Sequence, residues 1–194
     1  MRSEKYRLIL ASNSPRRKEL LAGLGYPFEV RVLSGIDESY PATLPVGEVA
    51  RFIAKKKADA YRQIISSEEL VITADTVVIV GNEILGKPRD EADAVRMLRL
   101  LSGKTHQVMT GVCLLTTAQT HCFDVTTDVT FKMLTDEEIR FYVTQYKPFD
   151  KAGAYGIQEW IGYIGVTSLQ GSYYNVMGLP VQRIYSELKK LNLM

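Results

Sequence analysis

Seven places in this 194-residue sequence carry polar groups suited to chemistry: Ser12, Arg16, Arg17, Glu38, one lysine of the run Lys55, Lys56 and Lys57, Asp75, and Lys87. They are carboxylates and cations that the local patterns put at strand ends or in loops. Cations can hold phosphates, and carboxylates can hold a divalent metal and activate water, so the set suits a polyphosphate substrate. Asp75 is the sharpest signal. It interrupts Leu70 to Val80, LVITADTVVIV, an almost continuously apolar and β-branched stretch that reads as a central buried strand. A carboxylate there is costly unless it is paired, hydrogen-bonded or metal-bound. Thr76 follows it as a second polar group. The structural alternative is a kink or bulge at Ala74-Asp75 that lets the carboxylate cap nearby backbone.

The elements around these residues follow from local pattern. Leu8, Ile9 and Leu10 form a short apolar strand. Ser14 can then cap a helix that opens with Pro15, where a missing N–H costs nothing. The turn between them holds Ser12, Ser14, Arg16 and Arg17, so hydroxyls, guanidinium groups and helix N-terminal donors together could cradle a phosphate. It is no P-loop, because the two glycines and the Lys-Ser/Thr ending are missing. Phe28 to Leu33 reads as a strand, and Gly35-Ile36-Asp37-Glu38 as the polar turn after it. Two adjacent carboxylates in such a turn can hold a hard cation, although an acidic turn by itself is usually only solvated. Pro45 to about Ser66 reads as one long helix. Its three consecutive lysines are 100° apart, so they cannot share a face and at most one or two point at a site. Lys87 lies in the loop before a helix capped by Asp90, with Asp93 completing a box-like pattern.

Further along, Glu83 to Leu85 reads as a short return strand and Asp90 to Leu101 as an amphipathic helix. Gln107 to Thr116 and His121 to Met133 read as two long strands. Thr135 to Gln145 is a helix with a capping box at Thr135 and Glu138. The segment Phe149 to Gln158 is rich in small residues, which permits close approach of backbone to a ligand. Pro180 to Leu191 reads as the last helix. Cys113 and Cys122 flank a hairpin and could face each other, depending on register; reduced thiols of a cytosolic protein are the expectation. A net charge of +2 gives no argument for nucleic acid or an anionic membrane. No stretch suits a signal peptide or a membrane span, so a cytoplasmic location is expected.

The motifs SNSPRRKELL, GIDE, ADTVV, KPRD, LSGKTHQVMTGV, DKAGAYGIQ and GSYYNVMGLP occur in the order seen in Maf-like nucleotide pyrophosphatases, and the resemblance covers essentially the whole chain. It implies one two-lobed Maf-like domain spanning 1–194. The implied fold is α/β, an elongated mixed β-sheet flanked by helices with a central cleft, like the inosine triphosphate pyrophosphatases. It also implies hydrolysis of a nucleoside triphosphate to the monophosphate and pyrophosphate, with Mg²⁺ or Mn²⁺ as cofactor and a homodimer as partner state. On this resemblance Asp75 matches the proton acceptor. Arg16, Thr76 and Gln158 match positions tied to substrate choice, in the pattern of the branch acting on dTTP and UTP. Ser12, Arg17, Lys57 and Lys87 would bind substrate, Lys57 being the lysine that fits the family's Lys-Ala pair. Glu38 and Asp75 would hold the metal, with Asp75 as base or mainly as ligand. The alternatives are the same chemistry on 7-methyl-GTP, or a non-catalytic nucleotide-binding regulator of septum formation. Glu159-Trp160-Ile161-Gly162 departs from the family pattern; Trp160 is either a stacking surface for a base or a packed aromatic.

Overall fold

The structure is a computed structural model that describes residues 5–193. The chain runs β1 (Arg7–Leu10), α1 (Pro15–Ala22), β2 (Phe28–Val30), a 3-10 turn (Val46–Glu48), α2 (Val49–Tyr61), β3 (Glu69–Val80) and β4 (Glu83–Leu85). It continues through α3 (Glu91–Leu101), β5 (Thr105–Leu115), β6 (Thr120–Phe131), α4 (Asp136–Tyr146) and a second 3-10 turn (Ala152–Ala154). The last elements are α5 (Trp160–Gly165), β7 (Val166–Gln170), α6 (Tyr173–Met177) and α7 (Val181–Lys190). Among the described residues the strands form one seven-stranded sheet in the order β2-β1-β3-β5-β6-β7, with β4 also beside β3. β1 is parallel to both β2 and β3, while β4 and β7 are antiparallel to β3 and β6. The sheet is therefore mixed, and the chain has the α/β class that its pattern implies.

The chain divides into two compact units. The first holds residues up to Asp75 together with Thr110–Val125 and the stretch from Gly178; the second holds Thr76–Met109 and Thr126–Met177. In the first unit, Ile9 and Val71 pair across β1 and β3 and pack with Ala54, Ala58, Tyr61, Cys113 and Leu115. Gly111 brings β5 against α2: a Cβ there would lie 2.4 Å from the backbone of Ala50. Tyr61 closes the far end of α2, donating its OH to the Arg31 carbonyl at 2.7 Å and accepting the Leu33 N–H at 3.1 Å. That phenol takes backbone groups a longer strand would have paired, and β2 stops at Val30 instead of reaching Leu33. Likewise α2 is shorter than its sequence pattern, with a 3-10 turn at its start and its end at Tyr61.

Cys113 and Cys122 are joined in a disulfide, with Cα atoms 4.1 Å apart. The expectation of reduced thiols is thus overturned, because the β5 and β6 register sets the two residues face to face. In the second unit, α3, α4, α5 and the inner face of the sheet enclose a core that includes Leu98, Phe131, Tyr142 and Tyr155. The capping box of α4 forms as expected, whereas Asp93 accepts the N–H of Arg89 rather than that of the cap residue Asp90. No helix among the described residues is long and apolar enough to cross a membrane.

Candidate functional site

β3 carries the decisive side chains on one face, because alternate residues of a strand point the same way. Glu69, Val71, Thr73 and Asp75 share one face of β3, and the last three meet α2. Val71 packs on Ala54 and Ala58. Thr73, fully buried, donates its hydroxyl to the Ala54 carbonyl at 2.7 Å. Asp75 then receives the ammonium of Lys57 at 2.8 Å, and the same ammonium lies 3.1 Å from Glu38. Asp75 sits within β3, which runs from Glu69 to Val80.

The helix explains why Lys57 is the lysine that arrives. Lys57 lies one turn after Ala54, beside the buried stripe of α2, and helical side chains lean toward the N-terminus. Lys55 is turned to Asp59 at 2.5 Å, and Lys56 to Asp37 at 2.9 Å. The acidic turn is divided in the same way. Asp37 is held well below the usual carboxylate range by Lys56 and by both donors of Ser39, while Glu38 turns to Lys57.

Arg17 is fixed by its surroundings. Its Nε donates to the Gly178 carbonyl and an Nη to that of Ala74, each at 2.8 Å. Burial pulls its pKa down, opposed by the nearby charges of Asp75 and Glu38. Ser14 caps α1 by accepting the Arg17 N–H, and Ser12 Oγ accepts the Ser14 N–H at 3.2 Å. Ser12 is buried and retains its O–H as a donor. Arg16, half-buried, stands beside Arg17 in the first turn of α1 and adds to the positive charge there.

Asp75 has its pKa raised, chiefly by burial and against the pull of Lys57 and Arg17. Glu69 on the same strand shows the opposite behaviour. It accepts from Arg31 through both guanidinium nitrogens, from Arg7 and from the Ser66 N–H, and falls to about 2. Glu69 is an ionised, charge-paired structural carboxylate; Asp75 shifts the other way, a perturbation that marks it as a candidate functional group. Glu38, Lys57, Arg17 and Asp75 are thus brought together in the first unit. Thr76 follows Asp75 in the strand, so its side chain leaves on the opposite face.

Lys87 and Gln158 belong to the second unit. Lys87 is exposed in the loop before α3. The side-chain oxygen of Gln158 is buried with no hydrogen-bond partner among the described residues. The glycines near it serve the protein's own packing: a Cβ at Gly153 would press on Val78, and one at Gly162 would overlap the Ile157 carbonyl. Trp160 packs edge-on against Phe141, with ring centres 4.8 Å apart.

The Maf-like protein family profile matches residues 7–191. The chain belongs to the Maf family. The dTTP/UTP pyrophosphatase of Bacteroides thetaiotaomicron is 60% identical over 188 residues, covering 97% of each chain. That of Phocaeicola vulgatus is 61% identical with the same coverage. Among solved structures, a HAM1 protein from Coxiella burnetii aligns with a TM-score of 0.48 and 13% identity, over 95% of this chain and 99% of that one.

For a Maf-family chain the fit of a divalent cation can be tested on the donors present. No group of three or more His, Cys, Asp or Glu side chains is poised for a metal among the described residues. Glu38 and Asp75 do converge on one cationic atom, the Lys57 ammonium. Two hard oxygen donors around a cation position suit Mg²⁺ or Mn²⁺, which take one or two carboxylates and complete their shell with water and phosphate oxygens. The residues therefore fit such an ion. Three groups carry no signal in the sequence that marks their role: Glu69, Thr73 and His106. The first two lie in a strand where only Asp75 looks anomalous, and their partners come from distant segments.

Proposed function

We propose that this protein hydrolyses dTTP and UTP between the α and β phosphates, releasing the nucleoside monophosphate and pyrophosphate. The observation that carries the proposal is the state of Asp75: half-buried, raised in pKa, and in contact with Lys57 beside Glu38. Near-full-length identity to proteins named dTTP/UTP pyrophosphatase supports the choice of substrate.

In this reading Asp75 takes a proton from the attacking water as its oxygen bonds to the α-phosphorus. The α–β bridging oxygen leaves with the pyrophosphate. Lys57 and Arg17 stabilise the negative charge that grows on the departing group, Ser12 donates its hydroxyl to a phosphate oxygen, and Lys87 is a further substrate-binding cation by its match to the family motif. Glu38 and Asp75 would hold a divalent ion, which supplies charge neutralisation on the phosphates when bound. Arg16, Thr76 and Gln158 set substrate choice. The buried acceptor of Gln158 complements a base that offers a ring N–H, as thymine and uracil do and cytosine does not. The reading carries with it a cytoplasmic location, and a net charge of +2 gives no reason for nucleic-acid or membrane partners.

The test is pyrophosphate release from dTTP, UTP, CTP, GTP, ATP and 7-methyl-GTP with Mg²⁺ or Mn²⁺, using wild type and Asp75→Asn. Release from dTTP and UTP, lost in a folded Asp75→Asn, is the expected result. Preference for 7-methyl-GTP overturns the substrate, and turnover that survives Asp75→Asn overturns the mechanism.

A further inference from the structure

Thr73 is a buried hydroxyl with one partner across an element boundary. A Thr in the middle of an apolar strand is nearly isosteric with Val, yet burying its hydroxyl is unfavourable unless it is hydrogen-bonded. Here it is bonded, to the Ala54 carbonyl at 2.7 Å. Ala54 lies within α2, one turn before Lys57, and Thr73 lies two residues before Asp75 on the same face of β3. Apart from this bond and the Lys57–Asp75 ion pair whose placement is at issue, α2 meets this strand face through apolar, non-directional packing of Ala54, Ala58 and Tyr61 around Val71. Apolar packing of small side chains tolerates sliding of a helix along a strand; a directed hydrogen bond fixes the register. Tyr61 anchors the other end of the helix to Arg31 and Leu33, not to β3.

We infer that Thr73 is a positioning residue, whose hydrogen bond to the Ala54 carbonyl locks α2 against β3 in the register that delivers Lys57 to Asp75. The inference rests on the proposed role of Asp75 and Lys57 in hydrolysis. Thr73 touches no reacting atom. Its effect is on the placement of a charge already committed to the departing phosphates, so it belongs to kcat and not to the strength of ground-state nucleotide binding.

The experiment compares steady-state pyrophosphate release from dTTP by wild type, Thr73→Val, Thr73→Ser and Asp75→Asn, each checked for folding by circular dichroism. Misplacing a catalytic group by about 1 Å can cost about a hundredfold, so a fall in kcat of about ten- to a hundredfold is expected for Thr73→Val. KM should stay within about twofold, since the loss is confined to the transition state. Thr73→Ser, which keeps the hydroxyl, should restore kcat to within about threefold of wild type. If Thr73→Val does not fold, Thr73→Ala is compared with Thr73→Ser in its place. Wild-type kcat in a folded variant lacking the hydroxyl, or no recovery in Thr73→Ser, overturns the inference while an inactive Asp75→Asn leaves the proposed function standing. An active Asp75→Asn overturns the proposed function instead.

Discussion

His106 should make this protein lose stability as pH falls from about 6.5 toward about 4. Its ring is 1% exposed, lies between Phe131 and Tyr155, and shares a 2.7 Å hydrogen bond through Nε2 with the Tyr155 hydroxyl. Nδ1 is buried with no partner among the described residues, so a proton added there has nowhere to donate. Burial lowers the pKa from 6.5 to about 4, with Asp128 pulling weakly the other way. A lowered pKa means that the unfolded chain binds the proton first. The stability of the neutral ring is therefore present above pH 6.5 and lost as pH falls toward 4. A shift of about 2.5 units corresponds to about 3.4 kcal/mol in all, of which about 2 kcal/mol is gone by pH 5. Urea unfolding of wild type and His106→Gln at pH 7, 6 and 5 isolates this contribution, because glutamine keeps a donor for Tyr155 and does not titrate. The stability difference between the two proteins should move by about 2 kcal/mol toward the variant between pH 7 and 5. A difference that stays flat across that range would refute the assignment of a buried neutral imidazole.

Lys57→Met should lower kcat for pyrophosphate release about a hundredfold, the scale of removing one preorganised electrostatic partner. Lys55→Met and Lys56→Met, whose ammonium groups serve Asp59 and Asp37, should stay within about threefold; equal losses in all three would show that bulk charge is what matters. Reducing the Cys113–Cys122 disulfide should cost about 2.5 kcal/mol of unfolding free energy, the chain-entropy value for a nine-residue separation. Denaturant titration with and without dithiothreitol, with Cys113→Ser/Cys122→Ser as the control that no longer responds, measures it.

What could be read in the sequence was local. Ser14, Asp90 and Thr135 cap their helices because capping needs only a side chain and a backbone donor three residues on. Asp75 was conspicuous because a carboxylate contrasts with the apolar strand around it. The end of β2 was not legible, since it is set by Tyr61, about thirty positions away along the chain. Nor were α5, β7 and α6: each is six residues or fewer, too short for a periodicity, and the glycines that permit α5 look like loop residues in one dimension. The cysteine pairing depended on a register that neither strand states by itself.

Glu69 and Asp75 show why burial by itself does not identify a functional carboxylate. They occupy the same strand and the same face, and each is withdrawn from water. Around Glu69 two arginines and a backbone N–H outweigh desolvation, lowering its pKa from 4.5 to about 2 and stabilising the fold by on the order of 3 kcal/mol at neutral pH. That stability is lost as pH falls from about 4.5 to about 2, below the window in which His106 acts. Around Asp75 the balance is reversed. The Lys57 ammonium, shared with Glu38, and the charge of Arg17 do not offset burial, and the pKa of Asp75 moves up. Arg17, held by the backbone carbonyls of Ala74 and Gly178, adds its charge from nearby. In the proposed mechanism Asp75, the less fully compensated carboxylate of the pair, is the one that takes a proton from water.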